Sequence, residues 1–315
     1  MGKLAFVFPG QASQYSGMGK ALCEKYSVAA SIFKKANNVL PFSISDLCFN
    51  GPEEELKLTE KTQPAILTVS VAAYRVLENM GIKPDYVAGH SLGEYSAVVA
   101  AGGIKFDDAV LIVHKRGKFM QEAVNVGVGS MAALLGGNLE DIKKMCEEVR
   151  GSHVLMMANI NCPGQVVISG HKEAVDMAIA NAPKIGVKKA VILPVSAPFH
   201  CDLMKPAQEK LKVELNRINI KDLKIPLVAN YDAEVTISSE EVREKLIKQV
   251  SSPVLWQDCV ERLIAEGVNV FVEVGPKKVL SGMIKKIDRS VKIYHVETPE
   301  EVEEFAKIYK ELKRG

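Results

Sequence analysis

Along the chain, short apolar runs alternate with longer stretches whose apolar residues recur at helical spacing, the pattern of a parallel sheet buried on both faces and covered by helices. Leu4–Phe8, Tyr86–Gly89, Ile225–Ala229, Val270–Val274 and Val291–Val296 read as buried strands, each stopping at or near Pro, Gly or polar residues. Thr62 to Met80 keeps a helical period up to Gly81, and Glu94 to Ala101 keeps one up to Gly102-Gly103, so both are expected to cover the sheet. Between about Gly127 and Val195 the rhythm changes to strand, helix, strand, strand, helix, strand. The pieces are Ser130–Leu135, Leu139–Val149, Val154–Asn159, Gln165–Ser169, Lys172–Asn181 and Ala190–Val195, with Pro163-Gly164 as a hairpin turn. That order is the split βαβ arrangement of ferredoxin-like units. Thr298-Pro299-Glu300-Glu301 forms a capping box that opens a last helix, whose Phe305, Ile308 and Leu312 make a stripe for docking on the surface. The expected fold class is therefore α/β, with a parallel-sheet core in segments 1–126 and 197–315 interrupted by a ferredoxin-like subdomain at 127–196.

Bulk properties narrow the function only by exclusion. A length of 315 residues exceeds one minimal core and suits a large domain with an insertion. With 47% hydrophobic and 25% charged residues and a net charge of +2, the chain has no broad basic surface, so no nucleic-acid partner is expected. The six cysteines are scattered without a C-x-x-C pair, which suggests neither a zinc site nor a dithiol motif and fits reduced thiols in a cytoplasmic protein. Leu4–Phe8 is too short for a signal-peptide core, no run approaches the roughly 18 apolar residues of a membrane span, and Phe6 stands where a myristoylation signal wants Ser or Thr. A cytoplasmic protein without a membrane anchor is expected.

Candidate chemistry centres on Gly89-His90-Ser91-Leu92-Gly93, a G-x-S-x-G sequence after an expected strand and before an expected helix. In a nucleophile elbow the serine occupies a strained turn that crowds the positions two residues to either side, so glycines are needed there and the hydroxyl projects above the sheet. The bare pattern arises by chance in roughly one chain in ten of this composition, and its strand–turn–helix context is what makes it informative. The competing reading is a glycine-rich turn whose serine caps the following helix.

A serine hydroxyl needs a base to take its proton. Of six histidines, His90 follows a buried strand and is expected to point away from the hydroxyl, while His114, His153, His171 and His295 have nothing reactive beside them. His200, in Ser196-Ala197-Pro198-Phe199-His200-Cys201, lies where the chain leaves the inserted unit and re-enters the core, where a cleft would fall. From the residues alone it stands level with a packed loop histidine.

An ordered series of motifs extends the picture: Phe8-Pro9-Gly10-Gln11-Ala12-Ser13-Gln14, Gln63-Pro64-Ala65, Gly89 to Tyr95, Arg116, Asn161-Cys162-Pro163-Gly164-Gln165, Pro198-Phe199-His200 and Glu273-Val274-Gly275-Pro276. In these the chain resembles the bacterial malonyl-coenzyme A:acyl-carrier-protein transacylases along nearly its whole length. The resemblance implies an α/β-hydrolase-like core with a ferredoxin-like insertion. It assigns Ser91 as nucleophile, His200 as general base and then acid, a backbone carbonyl near Gln249 to orient the imidazole, and the N–H groups of Gln11 and Leu92 as oxyanion hole. Loops at the carboxyl ends of parallel strands converge on one crevice, which is how Gln11 would reach the site. Ala12 departs from the glycine usual in the family, a small difference because the proposed donor is main chain.

Arg116 would grip the malonyl carboxylate in a planar fork that lysine cannot reproduce. Two charge-assisted bonds of about 1.5–3 kcal/mol each would favour malonyl over acetyl by about 10² to 10⁴. Read without the resemblance, Arg116 beside Lys115 and Lys118 is more simply a solvated helix charge. Gln63, Asn161 and Phe199 are the further substrate-binding candidates that the resemblance suggests, Phe199 as the bulky residue of malonyl-selective relatives. Malonyl-coenzyme A and the phosphopantetheine thiol of an acidic acyl carrier protein are the implied substrates, with no metal or bound cofactor. The carrier would meet a basic rim that includes Lys188, Lys189, Lys277 and Lys278. A monomer is expected, and a free-standing architecture favours fatty-acid over polyketide synthesis. Two rivals remain: a serine esterase or thioesterase using the same serine, and a carrier-docking protein with an idle elbow.

Overall fold

Successive residues of the first strand, β1 (Lys3–Phe8), point to opposite faces of a sheet, and both faces are buried. Leu4, Phe6 and Phe8 enter one apolar cluster and Ala5 and Val7 a second, which is why the sequence shows an unbroken apolar run rather than alternation. Each large side chain so buried contributes about 1.5–3 kcal/mol. The computed structural model describes residues 2–195 and 197–314. Met1, Gly315 and Ser196, where the inserted segment is expected to end, lie outside the described residues.

The main sheet joins β1 to β2 (Tyr86–Gly89), β7 (Leu227–Val228), β8 (Val235–Thr236), β9 (Val268–Val274) and β10 (Lys292–Val296) in the order β10-β9-β1-β2-β7-β8. All neighbours are parallel except the β7–β8 pair. Helices Thr59–Asn79, Leu92–Ala100 and Phe106–Glu122 pack into the first cluster, and Trp256–Ala265 and Val279–Ile287 into the second. The strand expected at Ile225–Ala229 shrinks to two residues because Pro226 has no N–H to give the ladder; its carbonyl still accepts from Val87 N at 2.9 Å. Helix Thr59–Asn79 starts earlier than its spacing suggested and runs through Pro64. Pro64 cannot donate to the Glu60 carbonyl, and His114 Nδ1 takes that carbonyl instead at 2.9 Å.

The inserted unit forms a separate four-stranded antiparallel sheet from β3 (Gly129–Gly136), β4 (Leu155–Cys162), β5 (Gln165–His171) and β6 (Val187–Ile192), ordered β4-β5-β3-β6. Its helices, Leu139–Val149 and Lys172–Asn181, have the bounds that periodicity predicts, and they cover a cluster of their own. The last strand sits three residues earlier than Ala190–Val195, because pairing with β3 begins at Val187 and Pro194 ends it. Edge strand β4 is tied to the main body by a parallel bridge: Ile160 N donates to Val254 O at 3.0 Å and Val254 N to Ala158 O at 2.8 Å. The bridge joins the edge of the inserted sheet to the main body.

The terminal helix Pro299–Arg314 opens with the expected capping box, Glu301 N donating to Thr298 Oγ1 at 3.3 Å and Thr298 N to Glu301 Oε2 at 3.2 Å. Phe305 is buried, and Ile308 and Leu312 pack against the first cluster. Among the described residues no helix is long and apolar enough to cross a membrane.

Candidate active site

Ser91 stands between β2 and helix Leu92–Ala100 with φ 51° and ψ −106°, a conformation a non-glycine residue holds only under constraint. The flanking glycines leave room for the bend. A Cβ on Gly89 would lie 2.0 Å from the Gly93 carbonyl carbon, and one on Gly93 would lie 2.0 Å from the Phe8 carbonyl oxygen. The Ser91 side chain makes no cap hydrogen bond to the helix, so the capping alternative fails.

Two side chains meet at the Ser91 hydroxyl. His200 Nε2 lies 2.7 Å from Ser91 Oγ, and Arg116 Nη2 donates to the same oxygen at 3.1 Å. His200 Nδ1 is 2.9 Å from the Gln249 carbonyl, which can only accept; Nδ1 therefore carries the proton and Nε2 turns its lone pair to the serine. His200 is 4% exposed, and burial followed by the Arg116 charge pushes it from 6.5 down to about 3, so the imidazole is neutral and ready to accept a proton. Arg116 is 1% exposed, which rules out the solvated-charge reading. Its Nη1 donates to Gln63 Oε1 at 2.8 Å and its Nη2 to Gln249 Oε1 at 2.9 Å, while its guanidinium lies over the Tyr95 ring at 5.5 Å.

Ser91, His200 and Arg116 line a cavity of about 130 Å³, together with Gln11, Leu92, Gln63 and Phe199. An adjoining chamber of about 470 Å³ shares Gln11, Ala12, Leu193 and Val195 with it and reaches outward past Tyr15, Lys57 and Lys277. Asn161 is not among the residues bordering this cavity; its Oδ1 lies 2.9 Å from Nε2 of His90, which does border it, as does Asn159. His90 also packs edge-on to Trp256 at 5.8 Å, the structural role expected of it, while bordering the cavity. Ala12 adopts φ 81°, a left-handed conformation that explains why glycine suits that position. The basic residues Lys188, Lys189, Lys277 and Lys278 are all exposed, Lys278 while paired with Glu301 at 3.0 Å. All six cysteines are unpaired. Among the described residues no group of three or more His, Cys, Asp or Glu is gathered to hold a metal ion.

The model of the acyl transferase domain family matches residues 5–305. The malonyl CoA-acyl carrier protein transacylase of Bacillus subtilis (strain 168) is 49% identical over 304 residues, spanning 96% of each chain. The chain belongs to the malonyl CoA-acyl carrier protein transacylases. Among solved structures it superposes with TM-score 0.95 on an acyl carrier protein S-malonyltransferase from Vibrio cholerae, at 42% identity over 96% of this chain and 99% of that one. It also superposes, with TM-score 0.95 and 42% identity over 97% of this chain and 99% of that one, on a malonyl-transacylase solved in complex with a type II PKS acyl-carrier protein. The α/β-hydrolase-like core with a ferredoxin-like subdomain is the architecture of these transacylases.

The transacylase site also contains Asn230, which sequence reasoning passed over, and a side-chain role for Gln249 beyond its expected carbonyl. Asn230 Oδ1 accepts from Ser91 N at 2.7 Å, and the Gln249 side chain donates to Ser91 O at 3.0 Å. Both lie in unremarkable local sequence, Tyr231 and Asp232 following the first and Val250 and Ser251 the second. Neither spacing nor composition marks them; only the crossing of distant segments does.

Proposed function

We propose that this acyltransferase moves a malonyl group from malonyl-coenzyme A to the phosphopantetheine thiol of an acyl carrier protein through an ester on Ser91. The observation that carries the reading is one hydroxyl held between a neutral imidazole, 2.7 Å away, and a buried guanidinium, 3.1 Å away. His200 Nε2 takes the hydroxyl proton as Ser91 Oγ attacks the thioester carbonyl, and the resulting oxyanion lies against the N–H groups of Gln11 and Leu92. Collapse breaks the carbon–sulfur bond, and the departing thiolate takes the proton back from His200. The carrier thiol then gives its proton to His200, attacks the ester and leaves with the malonyl group, restoring Ser91. Arg116 turns from Gln63 and Gln249 to the malonyl carboxylate.

The outer chamber suits the pantetheine arm that coenzyme A and the carrier have in common, and the exposed Lys188, Lys189 and Lys277 offer positive charge to an acidic carrier. We take 1–126 with 197–315 as the catalytic body and 127–196 as the subdomain that walls the cleft. Ser91, His200 and Arg116 reach one another within a single chain, so the site needs no second copy to be complete, which supports a working monomer, and the unpaired cysteines support a cytoplasmic setting. Neither a bound cofactor nor a metal enters the sequence of steps. The test is to mix the protein with malonyl-coenzyme A and a holo carrier. Malonyl should appear on the carrier thiol; steady release of free malonate with the carrier left unloaded would instead identify a thioesterase.

A further inference from the structure

Ser91-Leu92-Gly93-Glu94 has the spacing of a capping box, in which the glutamate side chain folds back to the N–H of the first residue. Glu94 does something else. The Ser91 N–H is occupied by Asn230 Oδ1, and the Glu94 carboxylate is directed inward, 1% exposed. Its Oε2 accepts from Asn230 N at 2.9 Å and from Gln249 Nε2 at 2.9 Å. Its Oε1 has no hydrogen-bond partner among the described residues.

We infer that Glu94 is a positioning residue for the transfer reaction, one carboxylate oxygen fixing the Asn230 main chain and the Gln249 side chain, the two residues that hold the nucleophile and the acyl-binding arginine. Asn230 and Gln249 clamp the strained Ser91 backbone from its two sides, one at the N–H and one at the carbonyl. Gln249 has a second duty that depends on which way its amide faces. With Nε2 on Glu94 and on Ser91 O, its Oε1 is presented to Arg116 at 2.9 Å; a flipped amide would set donor against donor there. The Glu94 carboxylate and the Ser91 carbonyl, both acceptors toward Nε2, together enforce the required face, and Glu94 is the side chain of the pair. Burial pushes Glu94 up to about 7, and a proton on the free Oε1 would leave both bonds at Oε2 intact, so the arrangement survives in either ionisation state.

The inference rests on Ser91 being the nucleophile, and the test separates the two. Parent, Glu94→Ala, Glu94→Asp and Glu94→Gln are each titrated for reactive sites by the burst of acylation from malonyl-coenzyme A, and turnover is expressed per reactive site. That normalisation removes any misfolded fraction, which is all a merely structural role would change. Glu94→Ala should lower kcat per site by about 10²-fold with KM changed less than about threefold, and should narrow the malonyl-over-acetyl preference. Glu94→Asp, whose oxygen is withdrawn by one methylene, should fall between it and the parent. Glu94→Gln, which can present one oxygen in the same place, should recover most of the activity. If Glu94→Ala does not fold, the aspartate variant decides by the same readout. Parent-like turnover per site in the alanine or aspartate variant overturns the role of Glu94, whereas a parent enzyme that takes no acyl group on Ser91 overturns the underlying reading.

Discussion

Replacing Arg116 with alanine should abolish the preference for malonyl over acetyl donors while sparing reaction with acetyl-coenzyme A. Two charge-assisted bonds of about 1.5–3 kcal/mol each set a range of about 10² to 10⁴ for that preference. The structure points to its lower end. Without substrate, the fork is already spent on Gln63 Oε1 at 2.8 Å and Gln249 Oε1 at 2.9 Å, and these must be released before a carboxylate is gripped. Exchanging amide for carboxylate acceptors recovers part of each bond, so a preference of about 10² is expected. The assay is the rate of acylation at Ser91 by the two donors, compared in parent, Arg116→Ala and Arg116→Lys; the lysine retains the charge and loses the fork. Deleting the guanidinium leaves two buried amide oxygens without that donor, so melting curves must accompany the rates. Equal losses toward both donors would refute carboxylate recognition by Arg116 and make it a structural ion.

Phe199, 8% exposed and part of the cavity wall, limits the space beside the acyl group; Phe199→Ala should raise acylation by methylmalonyl-coenzyme A relative to malonyl, and an unchanged ratio of the two rates removes it from the specificity wall. Gly93→Ala would place a methyl group 2.0 Å from the Phe8 carbonyl oxygen, so calorimetry should show a loss of at least about 1–3 kcal/mol, which a parent-like melting temperature would contradict. His200 is held down at about 3, so labelling of Ser91 by an uncharged serine reagent should stay flat from about pH 8 to 5; an imidazole titrating near 6.5 would instead slow it about 30-fold at pH 5. The same depression gives the sign of the stability effect: the unfolded chain takes up a proton that the folded chain refuses, so stability present above pH 6.5 declines as the pH falls toward 3.

Much of this architecture was legible because burial leaves a periodic trace. Leu4–Phe8 reads as a two-faced buried strand and is one, and the helices Leu139–Val149 and Lys172–Asn181 begin and end where their period does. What escaped was set by backbone detail. Pro226 cuts one strand short through its missing donor, pairing from Val187 moves another three residues earlier, and Pro64 sits inside a helix because a histidine from another helix takes the stranded carbonyl. At the site, Ser91 is marked by its glycines, since the bend forbids anything larger. His200 and Arg116 needed the resemblance, because a loop histidine and a helix arginine carry no local mark of burial. Asn161 meets the cavity through its contact with His90, while Asn159, two residues earlier on the same strand, borders it directly. Glu94, Asn230 and Gln249 converge from three separate segments, and no spacing encodes that meeting.

The central claim is that the hydroxyl at position 91, with the imidazole and guanidinium around it, carries the acyl group between two thiols. It is tested most directly by brief incubation with malonyl-coenzyme A, acid quench, and peptide mass spectrometry of the parent and of Ser91→Ala. A single malonyl adduct on the Ser91 peptide, absent from the variant and discharged by added holo carrier protein, is the expected result. An unmodified Ser91 in protein that still loads the carrier would contradict the account.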